Sequence, residues 1–130
     1  TCNACQENCP MQALYIDSET GYPMLNANLC LSFQTIENRG EISPEAQEKM
    51  GHCIYGCDLC QKVCPHNSFA QPTTHKEFIP TKELMEMTPE KWQELSVEQY
   101  QALFKGSAVK RAKYEGLIRN IKAISSKPKK

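Results

Sequence analysis

The chain has 130 residues, with 15 basic and 15 acidic side chains and eight cysteines. That is the length of one ordinary domain, and no apolar run is long enough to cross a membrane. The zero formal charge hides an asymmetry. From Phe104 to Lys130 nine bases face a single acid, a local charge of +8, while the preceding part carries −8. Such a split suggests a basic surface for a polyanion, with a solvated helix face and a frayed lysine tail as the plain alternative.

The first predicted element is a metal-binding loop, Cys2-Asn3-Ala4-Cys5-Gln6-Glu7-Asn8-Cys9-Pro10. A short helical turn is expected around Met11–Ala13. Leu14-Tyr15-Ile16 and Tyr22-Pro23-Met24-Leu25 flank Asp17-Ser18-Glu19-Thr20-Gly21 and predict a small hairpin, with Gly21 supplying a positive φ. Residues Cys30 to Asn38 predict a helix stopped near Arg39-Gly40. Ser43-Pro44-Glu45 is an N-cap followed by proline at the first helical position, so a helix should run to about Met50 and end at Gly51.

A second loop follows, Cys57-Asp58-Leu59-Cys60-Gln61-Lys62-Val63-Cys64-Pro65. Beyond it the composition changes, so an iron–sulfur domain over residues 1–71 and a helical region over 72–130 are expected. Pro72, Pro80 and Pro89 punctuate a linker-like stretch and then short helices. Thr88 and Ser96 are N-cap candidates, and Ser96 with Gln99 makes a capping box. Gly106-Ser107 precedes the longest predicted helix, Ala108 to Ile124. Val109, Ala112, Leu117, Ile121 and Ile124 approximate its apolar stripe, while Arg111, Arg119 and Lys122 share another side.

Each cysteine loop reads C-x2-C-x3-C-P, the last three-quarters of the C-x2-C-x2-C-x3-C-P ligand run of two-cluster bacterial ferredoxins. A 4Fe–4S cube needs a thiolate on each of its four irons. The x2 spacing wraps a loop round the cube, and the x3 spacing sends the last thiolate to the neighbouring cube. Zinc prefers paired C-x2-C knuckles and does not require the extra x3-Cys-Pro. Disulfides need an oxidising compartment, and no secretory signal is visible.

The crossover rule gives one cluster Cys2, Cys5 and Cys64, with its remaining cysteine expected three residues before Cys2, beyond the start of the chain. The other cluster takes Cys57, Cys60, Cys9 and a fourth ligand. Cys30 and Cys53 compete for that place. Cys30 is favoured because it would end the hairpin and begin a helix. Cys53 lies four residues before Cys57, which is not a ferredoxin spacing, and suits a small, partly buried side chain. The fold class expected is α+β, mostly α: a ferredoxin-like iron–sulfur domain with a small hairpin, then a short helical region.

The residues Asn26-Ala27-Asn28-Leu29-Cys30-Leu31-Ser32-Phe33-Gln34-Thr35-Ile36-Glu37, Ile54-Tyr55-Gly56-Cys57-Asp58-Leu59-Cys60-Gln61-Lys62-Val63-Cys64-Pro65 and Phe104-Lys105-Gly106-Ser107 with Arg111 carry a resemblance. Nearly the whole chain resembles the C-terminal half of the epoxyqueuosine reductase family, which is cobalamin-dependent and related to reductive dehalogenases. The resemblance implies a cytoplasmic oxidoreductase that reduces epoxyqueuosine to queuosine at the wobble position of tRNA anticodons. It implies an N-terminal domain holding cobalamin and the active-site acid, neither of which this chain supplies. Two 4Fe–4S clusters, recharged by an external electron donor, would feed electrons to the cobalt, and Cys30 would be a cluster ligand. The basic segment, with Lys105, Lys110, Arg111, Arg119 and Lys122, would face the anticodon stem-loop.

Some residues depart from the family pattern. The first cluster ligand is missing, His66 stands where tryptophan is frequent, and Cys53 stands where a basic residue is common. The chain ends soon after the long helix, so the helical-repeat extension of longer members is expected to be absent. A stand-alone ferredoxin and a zinc-stabilised nucleic-acid-binding module are the competing functions.

Overall fold

The computed structural model describes residues 2–125. It is an α+β structure in which short helices predominate and a single two-stranded sheet is found among the described residues. Strands β1 (Leu14–Ile16) and β2 (Pro23–Leu25) pair antiparallel, with Leu14 opposite Leu25 and Tyr15 opposite Met24. Gly21 takes φ +70 at the turn, as expected. Asp17 closes that turn, its carboxylate accepting from the Thr20 hydroxyl at 2.6 Å and the Thr20 N–H at 3.0 Å. Those two bonds hold the Asp17 carboxyl below its ordinary pKa.

Two local expectations change. No helical turn forms at Met11–Ala13; Gln12 has a positive φ of 49, which turns Met11 and Ala13 inward as buried residues. The helical turns lie inside the cysteine motifs instead, as α1 (Ala4–Glu7) and, further on, α4 (Leu59–Lys62). Helix α2 (Leu31–Ile36) is shorter than Cys30–Asn38 and has Cys30 at its N-cap. Helix α3 (Pro44–Lys49) begins as the sequence predicts, the Ser43 hydroxyl accepting from the Ala46 N–H at 3.2 Å. Gly51, at φ +59, ends it.

Helices α5 (Lys82–Met85), α6 (Pro89–Gln93) and α7 (Val97–Leu103) are capped by Thr81, Thr88 and Ser96. The capping box closes in both directions: the Gln99 N–H donates to the Ser96 hydroxyl at 3.2 Å, and the Ser96 N–H donates to Gln99 Oε1 at 2.9 Å.

The single helix expected over Ala108–Ile124 is divided. Ala108–Ala112 is a 3-10 turn, and α8 (Lys113–Ser125) starts at a residue with φ +60. Arg39 supplies the reason. Its guanidinium donates to the carbonyls of Arg111 at 2.8 Å and Ala112 at 3.2 Å, which a continuous helix would offer to the N–H groups of residues 115 and 116.

Two apolar cores result, and α8 enters both. Met11, Leu31, Ile42, Ala46 and Met50 form the first, with Ala123, Ile124 and Cys57 packed against it. Leu95, Tyr100, Phe104, Leu117 and Ile121 form the second, joined by Trp92, Ile54 and Tyr55. Burying a side chain such as Leu117 or Ile121 contributes on the order of 1.5–3 kcal/mol. Helix α8 therefore fastens the cysteine-bearing part to the helices that follow it. No helix among the described residues is long and apolar enough to cross a membrane.

Candidate metal centre

The two cysteine motifs have the same backbone. Cys5 and Cys60 are each the second residue of a one-turn helix, α1 or α4. The N-caps Asn3 and Asp58 have φ, ψ of −124, 12 and −109, 17. In the first motif the Gln6 and Glu7 N–H groups donate to the Asn3 carbonyl at 2.9 and 3.1 Å. In the second, Gln61 and Lys62 donate to the Asp58 carbonyl at 3.0 and 2.8 Å. The Cys9 and Cys64 N–H groups reach Gln6 and Gln61 at 3.2 Å in both, and the proline then redirects the chain. Helices α1 and α4 pack on each other. The sequence repeat is thus a structural repeat, with its two copies side by side.

The thiols are free of disulfides and none is fully buried; Cys2 is exposed and the other seven are half-buried. The Ala13 N–H donates to Cys9 Sγ at 3.2 Å. Burial pushes the Cys57 thiol above its ordinary pKa. The Leu59 N–H opposes that rise, and the neighbouring thiols of Cys53, Cys30 and Cys60 add to it. The Cys53, Cys30 and Cys60 thiols thus lie within electrostatic reach of Cys57. Two of them, Cys30 and Cys53, are the residues left in competition for the fourth ligand place. Among the described residues no three His, Cys, Asp or Glu side chains gather round one point as a single ion requires. A cube, with its irons at separate corners, does not ask for that convergence. N–H groups aimed at sulfur are also what iron–sulfur thiolates use to stabilise negative charge. The donor set fits 4Fe–4S clusters.

The chain matches the 4Fe-4S double cluster binding domain family over residues 1–67. It belongs to that family. The match takes in both repeated motifs and Cys30, so the iron–sulfur expectation holds at the level of the domain.

This double-cluster domain is also similar to named relatives. The chain is 45% identical over 121 residues to the epoxyqueuosine reductase of Leadbetterella byssophila, covering 93% of this chain and 37% of that protein. It is 38% identical over 125 residues to the epoxyqueuosine reductase of Escherichia coli, covering 92% and 30%. A crystal structure of selenomethionine-labeled epoxyqueuosine reductase superposes with a TM-score of 0.81 at 27% identity, over 95% of this chain and 32% of that one. An epoxyqueuosine reductase crystallised with a tRNA-Tyr epoxyqueuosine-modified stem loop superposes with a TM-score of 0.73 at 25% identity, over 95% and 32%. The chain thus spans about a third of the length of the proteins it matches. Over that third it is a fragment-length match to an oxidoreductase.

The five basic candidates do not form one equivalent set. Lys105, Lys110 and Lys122 are exposed, and Lys110 donates to Gln101 Oε1 at 2.8 Å. Arg111 is exposed but ion-paired with Glu37. The side-chain hydrogen bond and charge of Glu37 raise its pKa further. The expectation gives way at Arg119. All five of its N–H donors are used: Nη1 on the carbonyls of Asn38 and Gly40, Nη2 on the carbonyl of Gln34 and on Asn120 Oδ1, and Nε on Asn120 Oδ1. Burial, and then Arg39, lowers its pKa. No donor remains for a phosphate. Lys127, Lys129 and Lys130 lie outside the described residues.

Sequence reasoning missed Thr35, Asn120 and Arg39. One signal was available. Asn120 is a polar residue next to Ile121 on the apolar stripe, and a buried amide requires partners.

Proposed function

We propose that the chain is the iron–sulfur electron-transfer module of a cobalamin-dependent epoxyqueuosine reductase acting on tRNA. The observation that carries this reading is the pair of cysteine motifs with matching backbone geometry, packed through α1 and α4. The similarity to epoxyqueuosine reductases supplies the reaction.

In a ferredoxin-like arrangement Cys57, Cys60, Cys9 and Cys30 would hold one cluster. Cys2, Cys5 and Cys64 would hold the other, with a fourth thiolate from upstream of Cys2. Bound clusters would carry single electrons at potentials set by hydrogen bonds to sulfur, charge and exposure. The protein's own part is to aim thiolates and limit water. Ala13 and Leu59 turn N–H groups toward Cys9 and Cys57, and the first core covers one side of Cys57. An external donor would recharge the clusters, and a separate N-terminal domain would hold the cobalamin and the catalytic acid. Eight thiols suit a reducing, cytoplasmic setting.

For the RNA the reading rests on exposed charge. Lys105, Lys110 and Lys122, with Arg111 shared with Glu37, would neutralise phosphates of the anticodon stem-loop. Such contacts position RNA and carry little base information, so choice of the wobble base belongs to the cobalamin domain. A complexed stem loop in a structural neighbour supports this partner.

Anaerobic reconstitution tests the reading. The chain alone should take up closer to one cube than two, and restoring an upstream cysteine should bring the second. Joined to a cobalamin domain, it should support cluster-dependent turnover. Stoichiometric zinc with no iron–sulfur absorption would refute the proposal and favour the zinc module.

A further inference from the structure

Thr35 and Asn120 are the two buried polar side chains among the described residues, and both are fully enclosed. Their hydrogen bonds meet the segment that leads into Cys57. The Thr35 hydroxyl donates to the Leu31 carbonyl at 2.8 Å, which fixes its orientation on α2, and accepts from the Gly56 N–H at 2.9 Å. Asn120, from α8, donates to the Thr35 carbonyl and to the Ile54 carbonyl, each at 2.8 Å. Its Oδ1 accepts from Arg119, so both ends of the amide are assigned.

The geometry of the two ends gives these bonds a consequence. Cys30 is the N-cap of α2, and Thr35 lies further along the same helix. Gly56 directly precedes Cys57, and residues 53–58 form neither helix nor strand. Gly56 has φ +76, with nothing within 4 Å of where a Cβ would stand, so backbone conformation is what favours glycine there. A segment without its own ladder of hydrogen bonds takes its position from outside contacts. Here two such contacts end on Thr35: one directly through Gly56, the other from Ile54 by way of Asn120.

We propose that Thr35 and Asn120 are positioning residues for the cluster of Cys30 and Cys57, setting the separation of those two thiolates from behind and tying it to α8. The inference rests on the iron–sulfur reading above. A cube accepts thiolates only at fixed separations, so a segment free to drift weakens a ligand without removing it. Partners that orient ligands in this way typically affect metal affinity by 10–100-fold.

The test uses the reconstituted chain. Thr35→Val keeps the size and β-branching but removes the acceptor for Gly56; Thr35→Ser keeps the hydroxyl. Bleaching of cluster absorbance by an iron chelator should be about 10-fold faster in Thr35→Val, the lower end of that range. The electron paramagnetic resonance spectrum of its reduced cluster should shift as well. Native-state hydrogen exchange should show the Gly56 amide losing protection. Thr35→Ser should restore all three, and Asn120→Asp, which loses both N–H donors, should bleach like Thr35→Val. A folded Thr35→Val with the parent's bleaching rate and spectrum overturns the inference alone. So does a Thr35→Ser that keeps Gly56 protected yet bleaches as fast as expected for valine, which decides the matter even if Thr35→Val does not fold. A parent that takes up no iron overturns the iron–sulfur reading itself, and this inference with it.

Discussion

Replacing Arg119 with leucine should destabilise the fold far more than replacing Arg111, although both were read from the sequence as RNA contacts. The C-terminal end of α2 explains the difference. After Phe33, its carbonyls need partners that no further helical turn supplies. Phe33 O accepts from the Glu37 and Asn38 N–H groups at 2.8 and 3.1 Å, and Gln34 O accepts from Arg119 at 2.9 Å. Thr35 O accepts from Asn120 at 2.8 Å, and Ile36 O accepts from Arg39 at 3.1 Å. Arg119 also satisfies Asn38 O at 2.8 Å. Arg119→Leu strips the part-buried carbonyls of Gln34 and Asn38. At about 1–1.5 kcal/mol for each, those two carbonyls account for a loss on the order of 2–3 kcal/mol, and the enclosed Asn120 Oδ1, which also loses its Arg119 donors, adds to it. The Gly40 carbonyl is exposed and can turn to water, so it adds little. Arg111→Leu breaks an exposed ion pair and should cost under about 1 kcal/mol. Trp92, the chain's only tryptophan, packs in the second core beside Phe104 and makes urea unfolding readable by fluorescence. An Arg119→Leu variant within about 0.5 kcal/mol of the parent, or no weaker than Arg111→Leu, would mean that the carbonyls are not what this arginine serves.

Three further outcomes are expected. Leu117→Ala, which opens a cavity in the second core, should cost about 3 kcal/mol in the same unfolding experiment. Cys30→Ala should abolish the cluster assigned to Cys9, Cys57 and Cys60 while Cys53→Ala leaves iron content unchanged; the reverse pattern in iron analysis and visible absorption would reassign the fourth ligand to Cys53. Lys105→Glu combined with Lys122→Glu, in a protein joined to its cobalamin domain, should weaken anticodon stem-loop binding. It should also flatten the log–log salt dependence by about two units, with cluster absorbance unchanged. Equal affinity at every salt concentration would leave these lysines as a solvated face.

Features that depend on neighbours a few residues apart were legible in the sequence. Ser43, Thr88 and Ser96 cap helices because their oxygens meet N–H groups three residues later. Gly21 turns the hairpin, and C-x2-C-x3-C-P repeats because each copy wraps ligands within one local loop. Even there the one-turn helices α1 and α4 went unread, since four residues leave no hydrophobic period to count. The remaining features arise from packing between distant elements. Arg119 and Asn120 look like an exposed cation and a stray amide until α8 lies against α2, whose carbonyls are about 80 residues away. The break before α8 has no proline or glycine to announce it; it depends on Arg39, more than 70 residues earlier, taking two helical carbonyls. Long-range hydrogen bonds of this kind leave no periodic imprint on a sequence, because their partners are set by how elements pack and not by how residues are spaced.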